Sequence, residues 1–324
     1  MTEPHPLLVG EARAALPNGI EIAYQPFGDP SDVPMLLVMG LGTQMLGWPE
    51  ELCEDLASRG FYVIRYDNRD IGCSTHLAHL PRPTMAQMRG YATRRKAPPY
   101  AIADMADDAL ALLDVLGLGT VHLIGVSMGG FISQTAAIKA PERFRSLTLM
   151  LTSTGSRRVG QPKPNVLFNM ARQAEVKTPD DAVRATVATY KEIGSHGYPF
   201  DEAYLAEKAR LSFERAPREL GYERQLAAVI AQPNRTAALT RVKLPTLVVH
   251  GLHDPLVRPS GGLALAKAIP GAKFVGYHGM GHDLPRPLWG DMADQIGSLA
   301  TKADHQAEGP ERVGPAAEQL TAVD

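Results

Sequence analysis

Cysteine, unbroken apolar stretches and net charge are all scarce in this chain. Only two cysteines occur in 324 residues, Cys53 and Cys73. They show no C-x-x-C spacing, and neither is expected in a turn that would expose it. Two reduced thiols are therefore expected, in a cytoplasmic protein, and no catalytic cysteine. No apolar run reaches the roughly 18 residues that a membrane span needs; the stretch 109–119 is broken by Asp114. Lys and Arg number 33 against 35 Asp and Glu, a net charge of −2. That balance leaves no electrostatic footprint for nucleic acid or an anionic membrane. The first residues, Met1-Thr2-Glu3-Pro4-His5-Pro6, have neither a cationic start nor an apolar segment, so no secretory leader is expected. No internal repeat is found, and biased composition is confined to the C-terminal end.

What is present is ordinary soluble composition. Hydrophobic residues make up 44% and charged residues 21%, enough for a large core and too apolar for wholesale disorder. The length fits two domains or one large α/β domain.

Short β-type runs alternate with helical stretches, the pattern of a mostly parallel sheet with helices on both faces. Residues 11–16 and 21–27 flank Asn18-Gly19, a strong hairpin signal. Met35-Leu36-Leu37-Val38-Met39 is a continuous apolar run, as a buried central strand requires. Further strands are expected over 62–66, 121–124, 146–151, 246–249 and 273–277, completing an eight-stranded α/β sheet. Helices are expected over 49–59, 102–116 and 129–139. Residues 153–241 break the rhythm. There 178–193, 201–215 and 217–231 read as amphipathic helices with no strand between them. This stretch is expected to be a helical lid inserted into a core made of 1–152 and 242–300. Its 14 Lys and Arg slightly exceed its 10 Asp and Glu, as a solvated helical surface would. Residues 301–324 hold no Phe, Tyr, Trp or Ile, and a flexible tail is expected.

The strongest motif is Gly125-Val126-Ser127-Met128-Gly129. It matches G-x-S-x-G with a strand before it and a helix after it. A serine on so sharp a turn is held in a strained conformation. Small residues two before and two after it avoid clashes, and the hydroxyl stands above the sheet. A serine nucleophile also needs a base and a group to orient the base. Asp254 follows the 246–249 strand, and His282 follows the 273–277 strand. The order Ser, Asp, His with each at a strand end fits one sheet edge carrying all three. His250, His253 and His278 compete for the role of base. His250, His253, Asp254, His282 and Asp283 could together ligate a metal, but neither H-E-x-x-H nor H-x-H-x-D-H is present, and no metal centre is expected. An oxyanion would need two donors. The Met128 amide supplies one; Leu41, in Gly40-Leu41-Gly42-Thr43-Gln44, supplies the other. Gly40 and Gly42 would let that backbone approach substrate, and Gln44 could hydrogen-bond it. Met45, Met128, Met170 and Met280 are candidate pocket linings.

On these residues the chain resembles the α/β-hydrolase superfamily over about residues 10–300. Tyr66-Asp67-Asn68-Arg69-Asp70-Ile71-Gly72-Cys73-Ser74 resembles the superfamily's D-x-R-G-x-G-x-S segment, with Asp70 where many members have glycine. Met39-Gly40 stands where many carry His-Gly. Together with Gly47-Trp48-Pro49 and Met280-Gly281-His282-Asp283-Leu284-Pro285, these features look most like the aclacinomycin methylesterase branch and its bacterial esterase relatives. The resemblance implies a cofactor-free serine carboxylesterase acting on a small-molecule ester, with Asp67 and Arg69 structural. It leaves open perhydrolase, haloperoxidase, lactone or C–C bond chemistry on the same machinery. A non-catalytic ligand-binding protein is a further reading. Epoxide hydrolases and haloalkane dehalogenases need a carboxylate where Ser127 stands.

Overall fold

The computed structural model describes residues 8–166, 176–217 and 221–308. Eight strands form one sheet: β1 (Ala12–Ala15), β2 (Glu21–Phe27), β3 (Val33–Val38), β4 (Phe61–Tyr66), β5 (Val121–Val126), β6 (Phe144–Met150), β7 (Thr246–Gly251) and β8 (Lys273–Tyr277). Their order is β1-β2-β4-β3-β5-β6-β7-β8. β1 and β2 pair antiparallel across the Asn18-Gly19 turn, and β2 is antiparallel to β4. From β4 to β8 every pairing is parallel.

The helices are α1 (Glu50–Ser58), α2 (Met85–Ala92), α3 (Ile102–Val115), α4 (Met128–Lys139), α5 (Pro179–Ile193), α6 (Glu202–Arg215), α7 (Tyr222–Ala231), α8 (Thr236–Leu239), α9 (Ser260–Ala268) and α10 (Trp289–Glu308). Side chains alternate across a strand, so each strand feeds two cores. In β3, Leu36 and Val38 join the core that packs with α3 and α4. Met35 and Leu37 join the opposite core, with Leu52 and Leu56 of α1 and Met292 and Ile296 of α10. This two-sided burial is why the Met35–Met39 run is continuous rather than alternating.

Two expectations change here. Residues from 301 onward do not begin a tail: α10 runs on to Glu308. Ala300 and Ala303 are buried, and Asp304 pairs with Arg145 at 2.8 Å and with His122 at 3.3 Å. Small apolar residues facing inward hold this end, which a search for large hydrophobics passes over; residues 309–324 lie outside the described residues. Cys73 does lie in a turn, but it is half-buried and its thiol faces the Arg215 carbonyl at 3.6 Å. Burial pushes the Cys73 thiol up to about 11 and the Cys53 thiol up to about 12. Neither favours a thiolate.

Candidate active site

The carboxyl ends of the parallel strands meet at one edge of the sheet, where open α/β sheets place their sites. Ser127 sits between β5 and α4 with φ 55° and ψ −117°. A non-glycine residue in that region is strained. The strain is held from several sides. The Ser127 amide donates to the Met150 carbonyl at 2.9 Å, and the Thr152 hydroxyl donates to the Ser127 carbonyl at 2.8 Å. A side chain on Gly125 would strike the Gly129 carbonyl and Ser133. One on Gly129 would strike the Val38 carbonyl. The motif's spacing is thus a packing requirement.

Asp254 and His282 arrive from the loops after β7 and β8. His282 Nε2 lies 3.0 Å from Ser127 Oγ, and His282 Nδ1 lies 2.6 Å from Asp254 Oδ2. The Asp254 side chain is fully buried, and its Oδ1 also accepts the Leu256 and Val257 amides at 2.8 Å each. A carboxylate held this way fixes the imidazole's ring orientation and tautomer.

The other histidines are occupied elsewhere. His250 is buried beside the Val257 carbonyl at 2.7 Å, and burial holds its imidazole below the usual range. His253 Nδ1 accepts the Gly279 amide at 2.9 Å, and its ring stacks edge-on with that of His278.

The loop after β3 reaches the same place. A Cβ on Gly40 would lie 3.3 Å from Ser127 Cβ and 3.8 Å from Ser127 Oγ. Gly40, next to Leu41 in the chain, therefore passes close beside the serine. Gly42 and Gln44, expected to face substrate, make their hydrogen bonds within the protein. The Gly42 amide donates to Gln225 Oε1 at 2.9 Å, and its lack of a side chain leaves room for the Tyr222 ring. Gln44 is buried; its Nε2 donates to the Ser212 carbonyl and its Oε1 accepts from Arg215, both at 2.8 Å. Both polar ends of Gln44 are thus used by α6. Of the candidate pocket methionines, Met45, Met128 and Met280 are buried; Met170 lies outside the described residues.

Sequence reasoning missed the arginines that tie α6 and α7 to the sheet. Arg215 pairs with Glu11 at 2.8 Å and with Asp67 at 2.7 Å, all three side chains fully buried. Arg224 grips both carboxylate oxygens of Asp70, at 2.8 and 2.7 Å. Asp70, which departs from the superfamily's D-x-R-G-x-G-x-S pattern, was the available signal. Its backbone keeps a glycine-like φ of 70° while its carboxylate binds α7. Asp67 and Arg69 are structural. Asp67 accepts the Met45 and Cys73 amides, and Arg69 pairs with Asp108.

A family model for the alpha/beta hydrolase fold matches residues 33–285. The chain belongs to the α/β-hydrolase family. It is 32% identical over 290 residues to rhodomycin D methylesterase DauP of Streptomyces sp. (strain C5), covering 83% of this chain and 91% of that one. It is 31% identical, with the same coverage, to rhodomycin D methylesterase DnrP of Streptomyces peucetius. Among solved structures, this α/β hydrolase is similar to a thermophilic esterase from Thermogutta terrifontis. The TM-score is 0.66 at 25% identity, covering 92% of this chain and all (100%) of that one. The fold of esterase RhEst1 from Rhodococcus sp. ECU1013 is also similar, at a TM-score of 0.68 and 20% identity over 91% and 99% of the two chains.

Proposed function

We propose that this α/β hydrolase, of carboxylesterase type, cleaves small-molecule carboxylic esters through a Ser127–His282–Asp254 triad. One observation carries the reading: Ser127 Oγ, His282 and Asp254 lie in one hydrogen-bonded line of 3.0 and 2.6 Å. The methylesterase relatives support the substrate class.

Ser127 Oγ attacks the ester carbonyl carbon while His282 Nε2 takes its proton. Asp254 stabilises the imidazolium that results. The carbonyl oxygen becomes an oxyanion between the Leu41 and Met128 amides, each such donor being worth on the order of 100- to 1,000-fold in kcat. His282 returns the proton to the departing alcohol. Water, deprotonated by His282, then releases the acid and restores Ser127. No step needs a cofactor. Residues 153–241 form the lid that shapes the pocket over this edge and sets acyl or alcohol size.

The test is turnover of p-nitrophenyl esters from acetate to laurate by the wild type and by Ser127→Ala. A fall of about 10⁴-fold or more in kcat for the variant, with the melting temperature retained, is expected. Substantial residual turnover would remove Ser127 from its role. A wild type inactive on every ester would transfer the assignment to a lactone or C–C substrate, or to ligand binding without catalysis.

A further inference from the structure

His282 sits on a loop, residues 278–282, that belongs to no helix or strand. Its position against Ser127 must come from what grips that loop. One side is held by the neighbouring loop: the His253 amide donates to the Met280 carbonyl at 2.9 Å, and the Gly279 amide donates to His253 Nδ1 at 2.9 Å. The other side is held by the chain leaving α5. The His282 amide donates to the Ile193 carbonyl at 2.7 Å, and the Gly197 amide donates to the Gly279 carbonyl at 2.9 Å. The Tyr198 hydroxyl donates to the His278 carbonyl at 3.2 Å. The backbones touch. A side chain on Gly281 would strike the Gly194 carbonyl, and one on Gly197 would come within 2.5 Å of Gly279 Cα.

At the centre of this contact stands Ser195, which is 6% exposed. Its hydroxyl accepts the Gly281 amide at 2.9 Å and donates to Asp283 Oδ1. The Ser195 amide also hydrogen-bonds the Asp283 carboxylate. Ser195 therefore holds the residue before His282 and the residue after it. Asp283 forms no ion pair with Lys or Arg among the described residues. Burial pushes its carboxyl above the usual range, and the hydrogen bonds from Ser195 pull the other way. A partly buried carboxylate without a cation carries a cost that a purely structural contact does not need.

We infer that Ser195 and Asp283 are positioning residues for the base, clamping the His282 loop to the end of α5 so that Nε2 stays within reach of Ser127. The inference rests on the triad reading above. Misplacing a catalytic group by about 1 Å costs roughly 100-fold in rate, with little effect on binding. The clamp also ties the triad to the helical insertion, because α5 lies within residues 153–241.

The experiment compares wild type, Ser195→Ala, Ser195→Thr and Asp283→Asn on p-nitrophenyl acetate, with Ser127→Ala as control. Melting temperature and the rate of Ser127 labelling by diethyl p-nitrophenyl phosphate are measured alongside. Ser195→Ala and Asp283→Asn are expected to lose about 10- to 100-fold in kcat and in labelling rate, with KM within about threefold of wild type. Ser195→Thr, which keeps the hydroxyl, is expected to recover most of the loss. Wild-type kcat and labelling in Ser195→Ala and Asp283→Asn, with only a lowered melting temperature, would overturn the clamp and leave the triad standing. If Asp283→Asn does not fold, the two Ser195 variants decide on the same criterion. Full activity in Ser127→Ala would instead sink the triad reading, and the clamp with it.

Discussion

Gln44, expected to face substrate, is tied into the scaffold by both ends of its side chain. Its carboxamide joins the Ser212 carbonyl to the Arg215 guanidinium, which itself pairs with Glu11 and Asp67. Burial works against the Arg215 charge, but the two carboxylates outweigh it and raise its pKa. Removing the carboxamide leaves a buried carbonyl and a guanidinium N–H without this partner, worth about 1–3 kcal/mol. Gln44→Ala is therefore expected to lower the melting temperature and leave KM unchanged. A raised KM at an unchanged melting temperature would return Gln44 to the substrate pocket. The Ser127–His282–Asp254 arrangement was legible because the chemistry proposed for it dictates residue type, order and strand-end placement together. Gln44, Gly42 and Arg215 were not, because their partners lie far along the chain, Gln44 from Ser212, Gly42 from Gln225 and Arg215 from Glu11 and Asp67, and a single sequence carries no sign of such pairings.

Elements show the same division. The strands were legible from apolar runs, since burial on both faces leaves little room for polar residues. α10 was not legible beyond residue 300, because Ala300 and Ala303 fill its inner face. If residues 301–324 were all flexible tail, a cut after Thr301 would cost no stability. The structure predicts a loss, since the cut removes Ala303 and the Asp304 contacts to Arg145 and His122. Thermal unfolding of the truncated chain measures it, and an unchanged melting temperature would show that the last turns of α10 add nothing. The attachment of α7 makes a second case. Asp70→Gly would relieve a left-handed backbone worth roughly 1–2 kcal/mol. It would also leave Arg224, 1% exposed, buried without its carboxylate, at about 3–5 kcal/mol. The ion pair wins, so Asp70→Gly is expected to be net destabilising in denaturant titrations. Asp70→Gly combined with Arg224→Met should recover part of the loss; a double variant worse than the sum of the two single ones would refute the pairing argument.

At the scale of the whole molecule, the sheet's two buried histidines give stability a dependence on pH. His122, 1% exposed on β5, and His250, fully buried on β7, both have pKa values lowered by burial, against the pull of Asp304 on one and Asp254 on the other. A lowered histidine pKa means the folded state binds fewer protons than the unfolded chain near the unfolded value of 6.5. Stability is then fully present above that value, and it is lost as pH falls through it toward the folded pKa. Both histidines lie in the sheet, away from solvent, so charging either one works against the folded state. The melting temperature is therefore expected to fall between pH 7.5 and pH 5.5. His122→Gln keeps a polar group against Ser146, which lies 2.8 Å from His122 Nδ1, but cannot gain a proton. It should be less stable than wild type at pH 7.5 and lose less on acidification. Equal losses in the two proteins would place the acid sensitivity in other groups, with the Asp70 carboxylate, whose pKa is lowered, next to be tested.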